Sequence, residues 1–198
     1  MPPTAGSSTV EVHLSGGRPS PAFYFDLGVP ESYLTAERVL QVMPVATEWI
    51  PVALGGGDGE VDWAALSALA EARGLQPVRP PAAFPFDPAF ANRTATYAKQ
   101  IGRAVAFGLA AFRQAYAGGR DLSVPDNVLI AASACEMHPA AILRAVETRS
   151  VRDALARATA QAVERGVLRT PAIWTGTSVH HGDAALEDAA AVLAERAA

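Results

Sequence analysis

The chain has 198 residues, 20 acidic against 16 basic, a formal net charge of −4, and half of its residues are apolar. That is enough chain for one substantial core, or for one domain with a smaller one set into it, and 18% charged residues is the content of a folded protein rather than a disordered one. Every basic residue is arginine except Lys99, and they are scattered, mostly through predicted helices, which argues against the concentrated basic face that nucleic acid or an anionic membrane requires.

Residues 1–21 are rich in Ser, Gly and Pro with one alternating patch, TVEVHL, and read as a tail or a short edge strand. This start has neither a charged n-region nor an apolar h-region, and no run approaches the ~18–20 apolar residues that span a bilayer, so a cytoplasmic protein is expected. AFYFDLG (22–28) is β-rich and ended by Gly28. Tyr33, Leu34, Val39, Leu40 and Met43 then recur at helical spacing, predicting a helix from about Pro30 to Met43 that Pro44 stops. TEWIPVAL (47–54) reads as a second strand, in which Pro51 requires an edge position or a kink. GGGDGE (55–60) lacks the spacing of a phosphate-binding loop and reads as a flexible junction.

From Asp62 to about Arg165 the pattern is helical. Asp62 caps WAALSALAEAR, which Gly74 ends, and PVRPPAAFPFDP is an extended link. AFANRTATYAKQIG and AVAFGLAAFRQAYAGG follow, the latter closed by Gly118-Gly119; Ser123 or Asp126 then opens NVLIAASACEM. HPAAILRAVET and SVRDALARATAQAVERG complete the block. Beyond Gly166 the period changes: TPAIWTG and SVHH are two short strands turning at Gly176, and DAALEDAAAVLAERA is a last helix.

The order is therefore β-α-β, a helical block, then β-β-α. Neither pair of strands is stable alone, so both share one sheet. The expectation is an α/β fold: a sheet domain from residues 22–58 and 166–198, an inserted all-helical domain over 59–165, and a ligand cleft between them.

Cysteine and histidine usage limits the chemistry. The one cysteine, Cys135, forms no internal disulfide and no CxxC pair, which fits a reducing compartment and disfavours a disulfide oxidoreductase. No metal is expected: Cys135-Glu136-Met137-His138 has no second ligand pair, and the adjacent His180 and His181 of a strand point to opposite faces.

The segments YFDLGVPESYLTAERV, EWIPVALG, YAKQIGRAVAFGLAAFRQAYAGGRDLS and AVERGVLRTPAIWTGTSVHHGDAALEDAAAVL together resemble the DsbA-like branch of the thioredoxin superfamily. Within it the chain is most similar to 2-hydroxychromene-2-carboxylate isomerases and kappa-class glutathione transferases. The resemblance implies a thioredoxin-like βαβ…ββα sheet with the helical insertion, and a cis Thr170-Pro171 bond facing the start of the first helix. It also implies binding of a small-molecule ligand in the interdomain cleft, with glutathione or another low-molecular-weight thiol as cofactor, and leaves a homodimer open.

In those relatives the residue directly before the helix proline holds the reactive sulfur, as a cysteine or as a serine that binds glutathione. Here it is Val29, before Pro30. Valine donates no hydrogen bond to a thiolate, and Glu31 competes for the positive end of the helix. Ser32 keeps the second hydroxyl of the family's SPxS pattern and is the catalytic candidate, unless Gly28, Pro30, Glu31 and Ser32 simply make a good helix start. Thr170 would present its backbone to a peptide-like ligand beside Pro171. Asn92 falls near a position bordering the family's cleft. Asp183 is either a ligand contact or a plain N-cap, and Asp26 either a carboxylate that tunes the active turn or a strand-end cap. Two functions follow: an isomerase- or transferase-like enzyme, or a catalytically inactive binding or structural protein on the same fold.

Overall fold

A computed structural model describes residues 20–55 and 60–197; the TVEVHL patch and most of the Gly-rich junction lie outside that range. Strand β1 (Ala22–Phe25) leads into helix α1 (Glu31–Val42) and strand β2 (Glu48–Pro51). Helices α2 (Trp63–Ala72), α3 (Ala89–Gln100), α4 (Ala104–Phe112, continued by a π-helical turn over Arg113–Ala117), α5 (Pro125–Ser133), α6 (Pro139–Ala145) and α7 (Arg149–Glu164) form the insertion. Strands β3 (Ala172–Trp174) and β4 (Val179–His181), a 3₁₀ turn at Asp183–Ala185 and helix α8 (Leu186–Ala197) complete the chain.

The sheet order is β2-β1-β3-β4. β1 pairs parallel with β2 in the register Phe23 with Trp49, and antiparallel with β3, Phe23 opposite Ile173. Pro51 thus sits on an edge strand, where its missing N–H costs no ladder bond. β1 is buried on both faces, and its alternation sorts two cores. Phe23 and Phe25 pack with Trp49, α1, α8 and the α3–α4 helices; Ala22 and Tyr24 pack with Ile50, Val52 and Ala162 of α7.

The first of these cores is continuous from sheet to insertion. Phe25 meets Trp49 and Phe112 edge-on at 5.8 and 5.7 Å, and Gly108 of α4 lies so near the sheet that a Cβ there would come within 3.1 Å of the Trp49 ring. The helical block is therefore one half of a core shared with the sheet. Two local expectations are corrected. Helix α5 is opened neither by Ser123 nor by Asp126 but by Val124 with Pro125 at the first helical position, where a missing N–H is harmless. Cys135 lies in the turn just after α5, buried, with its Sγ 3.4 Å from the Ala131 carbonyl, and burial pushes its thiol pKa up.

Candidate ligand site at the start of helix α1

The turn from β1 to α1 is held from beneath by Asp26. This fully buried carboxylate accepts N–H donors from Gly28 (2.9 Å), Leu54 (3.1 Å), Gly55 (3.0 Å) and the Asn92 side chain (2.8 Å). Of its two readings the capping one describes it best, extended to the ends of both β1 and β2, since four donors satisfy the lone pairs of one carboxylate. Asn92 uses its other end, Oδ1, to accept the Leu27 N–H at 3.0 Å. Asn92 is thus a fully buried link from α3 to the turn and does not line the cleft. Tyr116 adds a third tie, donating to the Leu27 carbonyl at 2.8 Å; burial, then the charge of Asp26, raises its pKa well above the ordinary value.

Above this base opens a cavity of about 400 Å³ between the first turn of α1 and helix α2. Its walls are Val29, Pro30, Val61, Ala65, Leu66 and Leu69, and its polar groups are the carboxylates of Glu31, Glu60 and Asp62. No cationic side chain lines it among the described residues. Asp62 also caps α2 through the Ala65 N–H at 2.9 Å, as its sequence position predicts.

Ser32, the catalytic candidate, is fully buried, is not among the lining residues, and its hydroxyl has no hydrogen-bond partner among the described residues. The Thr170 hydroxyl is likewise buried and unpartnered. The Thr170-Pro171 bond is cis, as the resemblance implies. Two hydrogen bonds carry that turn to helix α1: Gly182 N–H donates to the Pro171 carbonyl at 2.8 Å, and the next N–H, of Asp183, donates to Glu31 Oε1 at 2.8 Å. Gly182 has φ +86°, and a Cβ there would sit 3.1 Å from Glu31 Oε1, so the close approach depends on glycine.

Asp183 makes no side-chain cap, and the N-cap alternative is corrected. Its buried carboxylate accepts from Thr35 Oγ1 at 3.1 Å, pairs with Arg73 at the C-terminal end of α2, and lies 3.5 Å from Arg38 of α1, which also pairs with Glu187. Neither arginine was legible as a site residue, because Arg73 and Asp183 stand 110 positions apart and only the fold brings them together. Both are drawn to Asp183 and Glu187 rather than to the cleft.

The cleft is therefore poorly built for an anion. A thiolate at a helix start relies on free N–H groups and a hydroxyl or cationic neighbour. Here Pro30 has no N–H, and those of Ser32 and Tyr33 already donate to the carbonyls of Val29 and Pro30 at 3.1 and 3.0 Å. Val29 is hydrocarbon, and the carboxylate of Glu31 repels a second negative charge nearby. Glutathione carries two carboxylates and a thiol against one ammonium and is net negative, doubly so as the thiolate, and these lining residues do not fit it.

Comparison with known proteins agrees with the geometry of the fold. A solved structure of a 2-hydroxychromene-2-carboxylate isomerase superposes with a TM-score of 0.79 at 18% identity, covering 90% of this chain and 96% of that one. A protein described as a probable DsbA oxidoreductase from Streptomyces coelicolor gives 0.72 at 17% identity, with 89% and 88% covered. The DsbA disulfide interchange protein of Klebsiella pneumoniae gives 0.58 at 15%, with 97% and 93% covered. No curated protein matches the chain. The model of the DSBA-like thioredoxin domain matches residues 22–194, and the chain belongs to that family.

Proposed function

We propose that this chain is a small-molecule-binding member of the DSBA-like family whose cleft takes an apolar body carrying a positive charge, such as an arylalkylammonium, and that it activates no thiol at the start of α1. The observation that carries this reading is the lining itself. Six apolar or proline side chains surround three carboxylates, with Val29 where the family's sulfur-holding residue stands. Glu31 is half-buried and Glu60 and Asp62 are exposed at the rim; a carboxylate there facing a ligand ammonium forms a charge-assisted hydrogen bond, and the apolar wall supplies the rest of the affinity. Dithiol exchange is unavailable to a chain whose single cysteine is Cys135.

One observation favours a second reading, an isomerase- or transferase-like activity using glutathione or another low-molecular-weight thiol. The buried hydroxyls of Ser32 and Thr170 lack partners, and unpaired buried polar groups are rare without a use. The two readings separate in thermal denaturation with each ligand class. Under the binding reading phenethylamine raises the melting temperature in a dose-dependent way, Glu31→Gln weakens that effect, and glutathione at millimolar concentration produces none. A glutathione-dependent rise that Ser32→Ala abolishes would establish the second reading instead.

A further inference from the structure

A second cavity, of about 320 Å³, lies along the outer edge of β2, between helices α3 and α7. Helix spacing explains the space. Ala154 and Ala158 place two small side chains four residues apart on α7, while Arg157, Gln161 and Arg165 form the neighbouring row of long ones. Ile50 and Pro51 of the edge strand supply an apolar wall. The volume is at the lower end of small-ligand pockets, roughly 300–1,000 Å³.

The charge here is opposite to that of the α1 cleft. Lys99, Arg157 and Arg165 line the cavity with a single carboxylate, Glu48, which Lys99 already engages at 2.7 Å. Among the described residues Arg165 is fixed by neutral groups: its guanidinium stacks on Trp174 at 4.1 Å and donates to Tyr24 Oη at 2.5 Å. Those contacts orient the fork without compensating its charge, which is how arginine is prepared for an oxyanion. Arg157 has neither a hydrogen bond nor an ion pair among the described residues. In a chain of net charge −4, two uncompensated guanidinium groups on one groove are a local reversal of sign.

We infer that this groove binds a small organic dianion, a phosphate monoester or dicarboxylate with a short apolar body, whose oxyanion lies between Arg157 and Arg165 and whose body rests on Ile50, Pro51 and Ala158. The inference is independent of the reading of the α1 cleft, since the two cavities share no lining residue.

The test is calorimetric titration of the full chain at constant ionic strength with phenyl phosphate, with succinate, with inorganic phosphate, and with benzyl alcohol as the uncharged analogue. Saturable one-site binding of phenyl phosphate or succinate is expected, at least about tenfold weaker in Arg157→Ala and in Arg165→Gln and unchanged in Glu31→Gln. Arg157 is exposed, so its variant tests the site without disturbing the fold. The inference is overturned if neither organic dianion saturates by about 10 mM, if both arginine variants bind as the parent does, or if inorganic phosphate binds as tightly as phenyl phosphate.

Discussion

The two cavities differ in how their charge is held. At the start of α1, arginines brought in by the fold turn toward Asp183 and Glu187, leaving an acidic cleft above a buried hydrogen-bonded base. Along β2 the reverse holds: acidic groups are scarce, and an arginine is propped on an aromatic face and a phenol. The comparison teaches that the sign of a pocket follows from where counter-charges are spent. Net composition, at −4, predicts the first pocket and misses the second.

The largest expected effect sharpens the structural side of that contrast. Asp26→Ala removes the acceptor of three part-buried backbone N–H groups and of the buried Asn92 amide. At about 1–3 kcal/mol for each buried group left unsatisfied, partly relieved by water, the loss should exceed about 3 kcal/mol in denaturant titration. Arg157→Ala, in the exposed groove, should change stability by less than about 0.5 kcal/mol. Equal costs would mean that the two sites are built alike.

Gly28→Ala should come next. Its Cβ would approach Pro88 Cγ to 2.9 Å and Cβ to 3.3 Å, and a proline ring can withdraw only by a change of pucker, so a loss of about 1–3 kcal/mol is expected, with a weakened amine response in the neighbouring cleft. An unperturbed midpoint would show that α3 does not press on the turn.

A smaller effect is pH-dependent. His181 Nε2 accepts the Leu168 N–H at 3.1 Å, in the loop leading to Thr170. Burial, then the charge of Arg169, lowers its pKa from the ordinary 6.5. Below 6.5 the unfolded chain therefore binds more protons than the folded one, and stability falls as pH drops from 6.5 to the lowered folded value, levelling off beneath it. His181→Gln should flatten that slope, read from melting temperatures between pH 5 and 7. Tyr33 offers an alkaline counterpart: burial, then the Glu37 charge, pushes its pKa up to about 12, so its phenol should stay un-ionised in absorbance titration through pH 11, where exposed tyrosines titrate.

Much of the fold was legible because its signals are local. Asp62 caps α2, Gly74 ends it with φ +66°, and Pro51 falls on an edge strand, each a consequence of one residue's own chemistry. The position of Val29 in the cleft wall came from the family resemblance, laid on a local strand-turn-helix pattern. What stayed hidden depends on partners far along the chain. Asp26 and Asn92 are 66 residues apart, so the first reads equally as a cap or a tuning group and the second as a cleft residue. The basic groove draws on β2, α3 and α7, three segments whose alanines and arginines look like ordinary helix faces until they are packed together.

The central claim, that the start of α1 faces a cleft for cations and not for thiolates, is tested most directly by melting the parent chain and Val29→Ser with phenethylamine and with glutathione in parallel. The account predicts a dose-dependent rise for the parent with the amine and none with glutathione. A rise with glutathione in the parent, equal to or larger than that with the amine, would contradict it.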